Sequence, residues 1–293
     1  MTGSATPTVV VDGKALAQTI RAQLAEEIAE LVGAGHRAPC LAVVLVGDNP
    51  ASLSYIKGKR RACERVGMAS REHNLPADAT QEDVVDLIHS LNRDPHVDGI
   101  LVQLPLPKPL EAAPVIQAID PAKDADGLHP ENAGRLLAGL PGLRPCTPLG
   151  ILEVLDRHGV PLEGASAVVI GRSVLVGKPA ALLLLERNAT VTMCHSRTRD
   201  LAAVVREADV VVAAAGTPLL VKGDWIRPGA AVIHLGVNMV NGEQVGDVDF
   251  DAALGVASLL TPSRGGVGPL TITMLLRNTL EAYRARTGVA RSR

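Results

Sequence analysis

The chain has 293 residues, 47% of them hydrophobic and 20% charged, with a formal net charge of −2. That length carries two domains with separate cores, and the balanced charge gives no field directed at nucleic acid or a membrane surface. Phe, Trp and Tyr make up 1% of residues, too few for an aromatic platform that stacks single-stranded nucleic acid. Cys40, Cys63, Cys146 and Cys194 lie far apart, with neither CxxC pairing nor metal-ligand spacing. They read as reduced thiols of a cytosolic protein, and no metal is expected. Met1–Pro7 is short and polar, unlike a secretory leader, and the longest apolar run, Pro179–Leu185, is too short to span a bilayer. The expected location is cytoplasmic.

In chain order, helix 14–32 precedes strand 41–46, and a helix over 50–66 opens with Asn49 suited to the N-cap and Pro50 to the first helical position. At about 100° per residue, Ile56, Cys63 and Val66 form an apolar stripe that contains Lys59, with Tyr55 on its inward edge. Lys57, Arg61 and Arg65 point the other way. An ammonium drawn into such a stripe loses hydration, so its pKa falls and it becomes a usable proton carrier. The alternative is a lysine that lays its methylenes on the core and sends its charge out to water. Strand 70–75 follows, then helix 81–92 with Thr80 as N-cap and Asp83 three residues on. Strand 98–104 has Gln103 as its only late polar residue, either at a ligand-facing strand end or at a solvent-facing edge. From Pro105 to Pro148 there are nine prolines, which predicts a loop-rich stretch lining a cleft between domains. Taken alone, Asp124 and Asp126 read as turn residues before Gly127.

The alternation restarts with strand 167–170, the turn Gly171-Arg172-Ser173-Val174-Leu175-Val176-Gly177, helix 178–187, and strands 190–194, 210–214 and 231–235. A glycine-bearing turn between a strand and a helix offers N–H groups to phosphate, although Gly171 and Gly177 do not make GxGxxG. Enzymes that use NAD usually carry an acid at the end of the next strand for the ribose 2′-hydroxyl. Here that strand runs into His195-Ser196-Arg197-Thr198-Arg199, and with Arg172 opposite the pattern favours NADP. Arg197 and Arg199 as a solvated helix start is the other reading. An amphipathic helix from Pro269 to Arg286, with Leu270, Met274, Leu275 and Leu280 inward, closes the chain. The fold class is α/β: two α/β domains flanking a cleft, the second a Rossmann-type NADP-binding domain. Their expected bounds are 1–148, with helix 270–293 packing back on it, and 149–269.

In order along the chain, these segments resemble the bifunctional methylenetetrahydrofolate dehydrogenase/methenyltetrahydrofolate cyclohydrolase family. The matching pieces are Ser52-x-x-Tyr55-x-x-x-Lys59, Gly99 through Gln103 to Pro107, Lys123-Asp-Ala-Asp126-Gly127 and Pro145-Cys-Thr-Pro148. They continue with Gly171-Arg-Ser173 to Pro179, Ala189 to Thr198, Gly236-Val237-Asn238 and Gly265 to Pro269. The resemblance implies oxidation of 5,10-methylenetetrahydrofolate with NADP, then hydrolysis to 10-formyltetrahydrofolate, within one-carbon metabolism and purine biosynthesis. It implies that Lys59 is catalytic, that Gln103 orients it, that Tyr55 lies beside the folate, and that Asp126 receives the pterin's N–H donors. It places Gly171, Arg172, Ser173, Ser196 and Val237 at NADP, and Gly268 and Pro269 at the substrate. Gly177 and Arg197 join the cofactor set from the turn and strand pattern above. A homodimer is implied as well.

The strand 232–238 and the loop 261–271 depart from the family pattern, at His234 and Arg264 above all. His234 replaces an acid in Val232-Ile-His234-Leu-Gly-Val-Asn238, and Arg264 replaces a proline in Thr261-Pro-Ser263-Arg264-Gly265. Both bear on the dehydrogenase step. Two other readings remain at this point: a shikimate-dehydrogenase-like NADP oxidoreductase, and a non-catalytic or cyclohydrolase-only paralogue.

Overall fold

The run Cys40-Leu-Ala-Val-Val-Leu-Val46 has no polar alternation, as a strand covered on both faces requires, and all seven of its residues are buried. It is the middle of a three-stranded parallel sheet, between Ala69–Leu75 and Gly99–Val102. The edge strand Ala69–Leu75 carries Arg71, Glu72 and His73, charges and polar groups that blunt an open edge. The computed structural model describes residues 7–235, 238–240 and 243–290, which divide into two units. The three-stranded unit holds Gln18–Cys146 and Ile272–Arg293; the other holds Thr147–Thr271 and the N-terminal residues up to Ala17.

In the three-stranded unit, the helix Gly13–Gly33 buries Ile20, Leu24 and Ile28 at four-residue spacing. The helix Gln81–Arg93 begins with the expected capping box, Thr80 and Asp83 each accepting from the other's backbone N–H. Its Val84, Ile88 and Leu91 pack on Ala42, Val44, Ile100 and Val102. Its C-terminal carbonyls are closed by Lys123, which is 1% exposed. The Lys123 Nζ donates to the carbonyls of Leu91 (3.0 Å), Asn92 (2.7 Å) and Asp94 (2.7 Å). Burial pulls this lysine's pKa down to about 8, and Arg286 adds to the fall; three carbonyl acceptors work in the opposite sense by favouring the ammonium.

The proline-rich stretch is less irregular than its composition suggests. It contains the helices Ala112–Ala118 and Pro130–Leu137, and the helix Cys146–Arg157 begins within it. Pro114, Pro130 and Pro148 all fall in a first turn, where a missing N–H costs no helical hydrogen bond. The strand expected over 98–104 ends at Val102.

The other unit is a six-stranded sheet in the order Val9–Val10, Leu259–Leu260, Ala231–His234, Val210–Ala213, Ser166–Ile170, Thr190–Cys194. Every neighbouring pair is parallel. The chain leaves Ser166–Ile170 to one side and returns on its other side at Val210–Ala213, which creates a topological switch point at the strand ends. Val168, Ile170, Val211, Ala213, Val232 and Leu260 belong to its core. The N-terminal boundary differs from the sequence reading of 1–148. Val9 and Val11 donate N–H groups to Ser258 (2.8 Å) and Leu260 (2.9 Å), because the short strand Leu259–Leu260 would otherwise leave an open edge.

One buried charge anchors the start of the three-stranded sheet. The Asp98 carboxylate, 0% exposed, accepts from Arg37 Nη1 (2.6 Å) and Nη2 (2.8 Å), Arg286 Nη1 (3.0 Å) and the Cys40 backbone N–H (2.8 Å). Truncating one partner of such a set leaves the others desolvated and unpaired. Asp98→Ala is therefore expected to destabilise this unit by about 3 kcal/mol, measured by urea unfolding; a shift below about 0.5 kcal/mol, the surface-substitution range, contradicts the account.

Candidate active site

The helix Pro50–Arg65 opens as expected, with the Ser52 N–H donating to the Asn49 side chain at 3.4 Å. Ser52, Ile56, Ala62, Cys63 and Val66 are buried, and Lys59 lies on the same face, half-buried. Its Nζ donates to Gln103 Oε1 at 2.8 Å, and Gln103 Nε2 donates to the Leu104 carbonyl at 2.6 Å. That second bond turns the amide oxygen toward the amine. Burial lowers the Lys59 pKa below the ordinary lysine range, with Asp126 and Cys146 opposing the fall. Gln103 is an acceptor without charge, so it orients the amine without adding a counter-ion that would fix the proton on it.

Asp126 reaches the same place through sheet register. The backbone of Lys123–Ala125 runs beside the strand Gly99–Val102, with the Ile100 N–H donating to the Lys123 carbonyl (2.7 Å) and the Ala125 N–H to the Ile100 carbonyl (3.3 Å). The two aspartates, alike in sequence, then separate in role. Asp124 is 1% exposed and accepts from the His129 N–H (2.7 Å) and Asn132 Nδ2 (3.0 Å), so it holds the turn. Asp126 is partly open to solvent though closely walled by protein. Burial raises its carboxyl pKa, Lys59 pulls it back, and Asp124 adds to the rise.

Sequence reasoning did not assign two further members. The buried Cys146 thiol lies 3.3 Å from the Ala125 carbonyl and beside the Asp126 carboxyl, and burial pushes its pKa well above the usual thiol value. Asn278, 4% exposed, donates from Nδ2 to the carbonyls of Ala125 (2.9 Å) and Arg144 (2.8 Å), with Cys146 Sγ at 3.6 Å. The motif Pro145-Cys-Thr-Pro148 was the available signal for Cys146; Asn278 had none. Tyr55, expected on the inward edge, is 61% exposed. It stands at the edge of the stripe made by the buried Ser52, Ile56 and Cys63, with most of its surface open to solvent.

In the six-stranded unit, Gly171, Arg172, Ser173, His195, Ser196, Thr198, Ala214 and Thr217 line a cavity of about 540 Å³ at the switch point. Gly171 has φ +124°, and a Cβ there would overlap the Ala214 carbonyl; a Cβ on Gly177 would overlap the Gly171 carbonyl. The six-residue spacing thus serves close backbone packing of turn, strand and helix. Ser173 Oγ accepts from the N–H groups of Val176 (3.2 Å) and Gly177 (3.3 Å). Ser196 and Arg197 are exposed, Arg197 outside the lining, and the first acid after this strand, Asp200, caps the helix Leu201–Arg206. The residues present fit a dinucleotide with a 2′-phosphate: hydroxyls and Arg172 line the cavity, and no carboxylate is among its described lining residues.

Gly268 and Pro269 open the helix Gly268–Thr287, and Val237 lies outside the described residues. His234 is 2% exposed, and neither ring nitrogen has a hydrogen-bond partner among the described residues. Burial lowers its pKa and Asp247 opposes. Arg264 is exposed and lines a cavity of about 430 Å³ together with His234, Gln244 and Ser263. No helix among the described residues is long and apolar enough to cross a membrane.

A doubly wound nucleotide-type sheet with an open phosphate turn, and a separate α/β unit bearing a desolvated lysine, define an NAD(P)-linked α/β enzyme class. Family models give the particular member. The tetrahydrofolate dehydrogenase/cyclohydrolase catalytic domain matches residues 11–126, and the NAD(P)-binding domain of the same family matches residues 145–287. The chain is 55% identical over 278 residues to the bifunctional protein FolD of Geotalea uraniireducens, covering 94% of this chain and 99% of the relative. It is 56% identical over 281 residues to FolD 2 of Frankia alni, covering 96% and 98%. The crystal structure of the bifunctional FolD dehydrogenase/cyclohydrolase of Campylobacter jejuni aligns with a TM-score of 0.92 at 44% identity, covering 95% of this chain and 99% of that one. The Trypanosoma brucei FolD structure, complexed with NADP and an inhibitor, aligns with a TM-score of 0.89 at 40% identity, covering 95% and 98%. The chain belongs to the tetrahydrofolate dehydrogenase/cyclohydrolase family.

The overlap at Gly177 generates a test. Gly177→Ala is expected to raise the Kd for NADPH at least tenfold, about 1.4 kcal/mol, in a fluorescence titration of the folded variant. Wild-type affinity would refute the packing argument.

Proposed function

We propose that the chain oxidises 5,10-methylenetetrahydrofolate to the 5,10-methenyl cation with NADP and then hydrolyses that cation to 10-formyltetrahydrofolate. The Lys59–Gln103 pair carries the reading: a half-buried amine of lowered pKa, oriented by a neutral amide, in a chain whose family performs both steps. NADP, when bound, supplies the acceptor for the hydride that leaves the methylene carbon. Gly171, Arg172, Ser173 and Ser196 would hold it, with Gly177 shaping the turn; the family resemblance assigns Val237 to it, and the charge pattern Arg197. Asp126 takes the pterin's amino and ring N–H donors on its two oxygens. Tyr55, already exposed, lies along the folate, and Gly268 and Pro269 border it.

In the second step a water oxygen bonds to the methenyl carbon and loses a proton to give a carbinolamine. The carbon–nitrogen bond to N5 then breaks as N5 takes a proton and the carbinol hydroxyl gives up its own to become the formyl C=O, with one net proton released to solvent. Lys59 carries those protons. A fully hydrated lysine would remain charged near pH 7, whereas a partly desolvated one exchanges its proton. Cys146 and Asn278 keep the Asp126 turn in place beside it. On the strength of the family resemblance, we place the enzyme in the cytoplasm, as a homodimer, supplying one-carbon units for purine biosynthesis.

Lys59→Ala is expected to reduce hydrolysis of the methenyl compound at least a thousandfold, while NADPH binding by titration stays at the wild-type value. Near-normal hydrolysis rules out this role. Gln103→Glu places a carboxylate against the amine and favours its charged form, so the Lys59 pKa rises. The limb of the hydrolysis pH profile that needs the free amine should move to higher pH, with a lower rate at pH 7; a profile that stays put, or moves down, contradicts the assignment.

A further inference from the structure

Within the six-stranded unit, Asp247 is 0% exposed, and none of the roles above uses it. One oxygen, Oδ2, accepts from the backbone N–H groups of both Ala215 (2.7 Å) and Gly216 (3.0 Å). The other, Oδ1, accepts from Asn238 Nδ2 (3.0 Å). No lysine or arginine is in that set. A carboxylate taken wholly out of water is costly to a fold unless its hydrogen bonds are complete, and an apolar residue would fill the space at less expense. Ala215 and Gly216 form a two-residue nest closed on a single oxygen, with Gly216 at φ +65°. Ala214, Ala215 and Thr217 line the 540 Å³ cavity opposite Gly171, and the Ala214 carbonyl is the group against which Gly171 packs.

We infer that Asp247 is a positioning residue for the cofactor: it fixes the wall of the nucleotide cavity that faces the glycine turn, and ties that wall to the hairpin Asn238–Val240 and Glu243–Val245. The inference rests on the NADP-dependent reading above. Its effect is on dinucleotide binding and not on proton transfer at Lys59, so the two activities separate.

The test titrates NADPH fluorescence with wild type, Asp247→Ala and Asp247→Asn, alongside hydrolysis of the methenyl compound. Wild type that binds no NADPH overturns the functional reading and this inference together. With wild type binding, Asp247→Ala is expected to raise the Kd about tenfold and the KM for NADP in parallel, with hydrolysis within twofold of wild type. Asp247→Asn keeps an acceptor oxygen for the turn and should bind within threefold of wild type. An Asp247→Ala protein with unchanged Kd, or an Asp247→Asn protein as weak as Asp247→Ala, overturns the inference alone. Should Asp247→Ala fail to fold, Asn238→Ala frees only Oδ1 and leaves Oδ2 on the turn. Its Kd should stay within twofold, and a tenfold loss would place the function in the hairpin instead.

Discussion

The hydrogen bond from Lys59 to Gln103 joins two opposing requirements, and much of the three-stranded unit serves it. An amine that is to release a proton has to be dry, yet one left without an acceptor in that setting would destabilise the fold. A neutral amide answers both. It supplies an acceptor at 2.8 Å and no charge. The helix phase brings the lysine inward, the end of the strand Gly99–Val102 presents the amide, and the Leu104 carbonyl fixes which way the amide points.

Around this pair, the charged groups divide by how completely they are bonded. Asp98, Asp124 and Lys123 are enclosed and each held by two or more protein hydrogen bonds, and they fix sheet, turn and helix end. Lys59 and Asp126 are each only partly satisfied by protein, and their pKa values are displaced toward neutrality from both sides. The polar interior is thus built in two grades, rigid supports and groups left free to meet a ligand.

The sequence made the α/β alternation legible because the strands Cys40–Val46 and Val210–Ala213 are short apolar runs set between helical periodicities. Lys59 was legible for the same reason: position on a helix follows from spacing alone. Tyr55 was not, since a residue at the edge of a helical stripe can be covered or open, and spacing alone does not decide which. Pro114, Pro130 and Pro148 concealed three helices because a proline that starts a helix and a proline that ends one look the same in composition. Asp124 and Asp126 became distinguishable only through His129 and Asn132, Asn278 through residues more than a hundred positions away, and Asp247 through Ala215 and Gly216, about thirty positions back. Such roles arise from register and chain crossing, which local patterns do not encode.

Ser173 carries a consequence for how strongly the phosphate turn can grip. Its hydroxyl already occupies the amides of Val176 and Gly177, so an arriving anion exchanges one acceptor for another at the helix mouth. The net return from those amides is the difference between a hydroxyl and a phosphate oxygen, well short of a newly formed bond. A dinucleotide in this cavity would meet side chains with little protein bonding to displace chiefly at the exposed Arg172 and Ser196.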